Sequence, residues 1–96
     1  MRESAFQKKV IQFLKQQDVW HVKYWAGSHY TKEGIPDILA CINGTFHGIE
    51  LKTDVGQATK LQLYNIRKIK ESGGEAYILR PKDFEAWKAR WFGEST

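Results

Sequence analysis

The apolar positions change period several times along the chain, and each change marks an element. Phe6, Val10, Phe13 and Leu14 share one stripe at helical spacing, with Lys8, Lys9, Gln12 and Lys15 facing out. This predicts a helix from Ser4 to Gln17. Val19 to Ala26 is β-branched and aromatic with rough alternation, as strands require. Both its faces are partly apolar, which predicts an inner position, with Val22 and Tyr24 or Val19 and Trp25 turned to the core. Gly27 to Gly34 is polar and reads as a loop. Two apolar runs then flank Asn43-Gly44. A two-residue type I′ turn needs φ > 0 at both positions, which Asn-Gly supplies readily, so these runs form a β-hairpin. Thr53 to Ala58 is a second polar loop. A helix follows from about Ala58 to Ser72, its inner stripe Ala58, Leu61, Asn65, Ile66 and Ile69, and Gly73-Gly74 ends it. Glu75 to Arg80 is a short strand stopped by Pro81. Asp83 to Phe92 is a last helix with Asp83 as N-cap and Phe84, Trp87 and Trp91 on its docking face. The order is αβββαβα, an α/β class with a mixed central sheet flanked by helices.

The hairpin carries the chemistry. Pairing across Asn43-Gly44 sets Ile42 against Thr45, Ile38 against Ile49 and Asp37 against Glu50. Opposed residues of an antiparallel pair point to one side, with Cβ atoms roughly 4.5–5.5 Å apart. Two carboxylates there repel, and folding alone gives no reason for them. A divalent cation between them removes the repulsion and takes both as oxygen ligands. Lys52 lies on the same face, about 6.6 Å beyond Glu50, while Leu51 points the other way with Ile49. Asp after Pro is also a common turn residue, and Glu-x-Lys a common solvated strand face. Three such groups on one face favour phosphodiester hydrolysis. A metal acts there as a Lewis acid and lowers the pKa of a water, and a lysine orients that water or stabilises charge on the phosphate. The oxygen-only ligand set favours Mg²⁺ or Mn²⁺ over zinc.

Composition narrows the partner. The 96 residues bound one domain, 1–96, and the net charge of +4 favours an anionic partner such as nucleic acid. The single Cys41 excludes an intrachain disulfide and fits a reducing, cytoplasmic setting. It shares the Asp37 face and reads as a small core residue. No apolar run is long enough to span a membrane, and Met1-Arg2-Glu3 does not begin a signal peptide, so no membrane partner is expected. Ser28, His29, Tyr30, Thr31 and Lys32 lead into Pro36-Asp37 and could bond phosphates, with Tyr30 able to stack on a base. Lys60, Arg67, Lys68 and Lys70 make one side of the second long helix basic, either to track phosphates or only to be solvated. Gln62 has two readings. It completes a capping box with Thr59, or it orients the attacking water. Glu3 also has two: an acid favoured at a helix N-terminus, or a third acid of the site. Trp20 and Phe92 are surplus large aromatics that mark a subunit interface.

Pro36-Asp37 followed by Glu50-Leu51-Lys52 resembles the PD-(D/E)xK nuclease superfamily. The fuller pattern, Gly34-Ile35-Pro36-Asp37, Glu50-Leu51-Lys52 and Gln62 on a following helix, resembles the virus-type replication-repair nuclease (VRR-NUC) family within it. The likeness runs from the first helix to about Arg80. It implies a restriction-endonuclease-like fold and a Mg²⁺- or Mn²⁺-dependent DNA endonuclease acting on branched or structured DNA. Asp37, Glu50 and the Leu51 backbone carbonyl would hold the metal, and Lys52, Gln62 and Glu3 would join the catalytic set. Nucleases of this kind commonly pair as homodimers to process four-way junctions, and some are virus-encoded and act in the host cell. Three rivals stand beside this reading. The αβββα core and basic helices also suit a double-stranded nucleic-acid-binding module, which needs no opposed acids. The fold could be catalytically idle, or the enzyme could cut flaps or single strands.

Overall fold

The Asn43-Gly44 turn has φ of 52° and 82° at its two residues, the geometry that this dipeptide favours. A computed structural model describes residues 1–25 and 32–93. The turn joins β2 (Ile38–Ile42) to β3 (Thr45–Leu51), with Ile38 opposite Ile49 and Ile42 opposite Thr45. β1 (His21–Lys23) pairs antiparallel with β2, and β4 (Glu75–Leu79) pairs parallel with β3. A parallel neighbour needs a crossover, and α2 (Lys60–Glu71) supplies it. The mixed sheet therefore runs β1-β2-β3-β4, with α1 (Glu3–Gln16) before it and α3 (Phe84–Phe92) after it.

The two faces of the sheet differ. On one, Phe6, Val10, Phe13 and Leu14 of α1 pack with Ile38, Ala40, Ile42, Ile49, Leu51, Leu79, Phe84 and Trp87. This is the core, formed by the alternate strand residues and the helical stripe that the sequence predicts. His47 is buried on the same side. Its Nδ1 lies 2.7 Å from the Tyr77 hydroxyl, which accepts a hydrogen bond from Trp87 Nε1 at 2.8 Å. On the other face α2 lies over β3 and β4, with Ile69 against Gly48, and buries no residue completely.

Several expectations need correction. β1 is three residues long and forms the edge of the sheet, not an inner strand. Its apolar character comes from Trp20 and Val22 facing outward on the α2 side. Cys41 is exposed rather than core, because α2 does not reach across β2. Phe92 is packed against the core rather than left as surplus surface, and Trp91 docks there as its helix face predicts. Trp91 meets the His47 ring edge-on at 4.5 Å, and Phe92 meets Phe13 at 5.0 Å. Asp83 stands at the N-cap of α3 without a side-chain cap bond, since the helix is entered through a 3-10 turn at Pro81–Asp83. In α2, Leu61 is exposed, although the predicted stripe turns it inward.

α2 begins at Lys60 behind a complete capping box. Thr59 Oγ1 accepts from the Gln62 backbone N–H at 3.1 Å, and Gln62 Oε1 accepts from the Thr59 N–H at 2.9 Å. Two backbone donors at the helix start are thereby satisfied. Thr59→Ala should cost about 1 kcal/mol. In a domain of this size that lowers the melting temperature by roughly 4–8 °C, which differential scanning calorimetry would read.

Candidate active site

Strand alternation sorts the side chains on the α2 face into three rows. Trp20, Cys41 and Phe46 form the first, linked by the Cys41 N–H to the Trp20 carbonyl and by strand pairing. Val22, Leu39 and Gly48 form the second. One pair further along, Tyr24, Asp37 and Glu50 form the third. There the Tyr24 N–H donates to the Asp37 carbonyl at 2.8 Å, and Asp37 Oδ2 accepts from the Leu51 N–H at 2.9 Å.

Local sequence explains how Asp37 is held. Pro36 is buried, and its Cγ lies 3.0 Å from where a Cβ on Gly48 would stand. The missing side chain of Gly48 is the hollow that receives the proline, and it fixes the approach of the chain to β2. Gly34 has φ of 78°, and a Cβ there would fall 2.5 Å from Leu61 Cγ. Only glycine lets this segment pass so close to α2 in that conformation. The glycine, proline and aspartate of the Gly34–Asp37 motif thus do one job, which is to bring a carboxylate to the end of the hairpin.

Glu50 is 2% exposed, beside Asp37. Its Oε2 lies 3.4 Å from Lys52 Nζ, and its Oε1 is buried with no hydrogen-bond partner among the described residues. Burial pushes the Glu50 carboxyl up to about 7. The Asp37 charge pushes the same way, and Lys52 pulls it back in part. A buried, unpartnered carboxylate oxygen facing a second carboxylate is a high-energy arrangement for the protein alone. It is the donor set that a hard divalent cation satisfies, so Asp37 and Glu50 fit such an ion. Lys52 is largely buried, on the same face as Glu50.

The remaining predicted residues are not gathered with these three. Glu3 is exposed in the first turn of α1, and among the described residues no group of three His, Cys, Asp or Glu side chains could hold a metal. Gln62 spends its Oε1 on the capping box. Lys60 is exposed at the start of α2. Arg67 is exposed, 3.6 Å from Glu71 and over the Tyr64 ring. Lys32 is exposed, and its N–H donates to the Tyr24 hydroxyl at 2.9 Å. Ser28, His29 and Tyr30 lie outside the described residues. Tyr24, expected only as one of two alternative core-facing sets of its strand, is the neighbour of Asp37. Continuing the strand pairing to the edge would have found it.

The Glu50 shift has a consequence for the metal-free protein. Its folded pKa is raised, so the folded state holds a proton that the unfolded chain gives up near pH 4.5. Stability from this group is therefore lost as pH rises from about 4.5 to about 7. Melting curves in EDTA should show the wild type losing stability over that window relative to Glu50→Gln. Identical pH slopes for the two proteins would refute the strained carboxylate.

Comparison with known proteins bears on the family of the chain. The family model for archaeal Holliday junction resolvases matches residues 2–92. No curated protein matches the chain. The matched span takes in the whole sheet, the three helices and the Asp37, Glu50 and Lys52 face. The chain belongs to the archaeal Holliday junction resolvase family, and it is a structure-selective DNA endonuclease of the PD-(D/E)xK type.

Proposed function

We propose that the protein hydrolyses phosphodiester bonds of four-way DNA junctions with Mg²⁺ or Mn²⁺ held by Asp37, Glu50 and the Leu51 backbone carbonyl. The observation that carries this reading is the buried Glu50 Oε1 beside Asp37, which has no hydrogen-bond partner among the described residues. The bound ion supplies Lewis acidity and a more acidic water. Asp37 is held by the Leu51 N–H through Oδ2, which leaves its other oxygen to ligate. Lys52 donates to a non-bridging phosphate oxygen or to the attacking water, and opposes the charge that builds in the transition state. Gln62 contributes through its amide nitrogen, since its oxygen serves the helix cap. Glu3 is left to the helix dipole. Lys32, Lys60 and the Ser28–Tyr30 segment contact the DNA backbone, and Arg67 adds to the field. The Gly34–Asp37, Glu50–Lys52 and Gln62 pattern supports a VRR-NUC-like branch of the same superfamily. One domain acting on DNA inside the cell accounts for residues 1–96. Among the described residues no helix is long and apolar enough to cross a membrane.

Asp37→Ala and Glu50→Ala should abolish cleavage of a synthetic four-way junction in Mg²⁺ or Mn²⁺ while leaving junction binding in EDTA largely intact. Lys52→Ala should slow turnover by about 10²–10³-fold with little change in affinity. Gln62→Ala should lose less. Full activity in Asp37→Ala would remove the site assignment.

A four-way junction needs two cuts, and one chain offers one site. We therefore propose a homodimer with a two-fold interface. Trp91 and Phe92 are packed against the core, so the interface is assigned instead to the row of Trp20, Cys41 and Phe46 with Val22 beside it, an exposed apolar row on one sheet face. Trp20 is 62% exposed and Phe46 43%. Light scattering at micromolar concentration should give twice the chain mass, and Trp20→Ser should halve it. A monomer mass with and without junction would refute the dimer and favour flap or single-strand cutting.

A further inference from the structure

We infer that Arg80 is a positioning residue for Lys52, acting by clamping the loop into which Lys52 leads. This rests on the proposed role of Lys52 above. Lys52 stands just past the end of β3, where its backbone N–H donates to the Leu79 carbonyl at 3.2 Å. Beyond it the chain leaves the sheet. There the Thr53 carbonyl accepts from Arg80 Nη1 at 2.6 Å, and the same nitrogen donates to the Gly56 carbonyl at 2.7 Å. The Gly56 N–H in turn donates to Thr53 Oγ1 at 2.9 Å, which closes the turn on itself. Asp54 Oδ1 accepts from the Lys82 N–H at 3.1 Å. Leu79, Arg80 and Lys82 thus hold successive points of the loop.

Arg80 can hold the loop because it is itself held. Its backbone carbonyl accepts from the Asp83 N–H at 2.9 Å, at the junction of β4 and the 3-10 turn. Its side chain is half-buried, and its charge strengthens both bonds to the carbonyls. A basic residue near a nuclease site would ordinarily be assigned to DNA. Here Nη1 points inward at two backbone oxygens. Loss of the clamp frees the chain on the C-terminal side of Lys52, the side without a sheet partner. It also loosens Gly56, three residues before the cap of α2 at Thr59. Lys52 must meet a phosphate within a fraction of an ångström, and misplacement by about 1 Å can lower a rate about 10²-fold.

Single-turnover cleavage of a four-way junction at saturating protein tests this, alongside amide hydrogen exchange of residues 53–56. Arg80→Ala should cut the rate about tenfold to a hundredfold and remove exchange protection in the loop, with the junction Kd in EDTA changed less than about twofold. Arg80→Lys should recover much of the rate, because one nitrogen makes both bonds. An unchanged rate with faster loop exchange, or with a lower melting temperature alone, would reduce Arg80 to a structural strap. A weaker Kd with an unchanged saturated rate would make it a DNA contact. Both results overturn the inference. If Arg80→Ala is unfolded, Arg80→Gln carries the same comparison, and a wild-type rate in it is the refuting result. Asp37→Ala runs in parallel. If it cleaves, the site reading has failed; if it is dead and Arg80→Ala is wild-type, only the clamp has failed.

Discussion

Two like charges set directly across a strand pair govern this molecule. The hairpin register makes Asp37 and Glu50 neighbours, and the fold then withdraws Glu50 from water. Neither step stabilises the protein. Repulsion and desolvation act in the same direction on the Glu50 carboxyl, and Lys52 offsets only part of them. The strain is maintained because the surroundings over-determine it. Asn43 and Gly44 fix the register, Pro36 seats on Gly48, and the Leu51 N–H holds the Asp37 carboxylate. Strain of this kind is expected where a site is pre-organised for a ligand that is not part of the chain.

The division of the sheet into two faces makes this possible in so small a domain. The α1–α3 side takes the buried large apolar side chains, with Trp91 and Phe92 packed against them, and it carries the stability. Among the described residues, the α2 side is covered over β3 and β4 and open over β1 and β2. An open face can present reacting groups to a wide, stiff substrate such as a junction. A closed cavity could not admit one. The exposed Trp20, Val22 and Phe46 share that open face, roughly 13 Å along the strands from the acids in the case of the Trp20 row. One face therefore offers both a charged site and an apolar patch.

The sequence made some of this legible and hid the rest for physical reasons. The hairpin register was readable because Asn-Gly restricts the turn to one geometry, and the face shared by Asp37, Glu50 and Lys52 follows from alternation alone. The capping box was readable because its two halves lie three residues apart. Strand order was not readable for β1. A half-apolar strand fits the centre of a closed sheet or the edge of an open one, and only tertiary packing decides. That ambiguity misplaced Cys41 and left Tyr24 unconnected to Asp37. Phe92 was misread, and the contacts of Trp91 went unseen, for a related reason. Their partners, His47, Tyr77 and Phe13, come from three separate elements, and composition cannot show that they converge.

Lys52 shows most clearly what lies beyond local pattern. Strand alternation fixes the side to which it points, but it cannot fix how firmly. The chain on one side of it belongs to a sheet, and the chain on the other belongs to a polar loop. A cation just past the last strand position is only as well placed as the first residues of that loop. The bonds that hold them come from residues 79–82, which a local reading treats as a strand end followed by a proline. Glu50 draws on the same support, because its closest cation is the Lys52 ammonium at 3.4 Å. The charges of the site thus depend on a backbone contact made from across the sheet edge. Few polar groups are buried among the described residues, and that contact couples the stability of the β4 end to the geometry of the reacting groups.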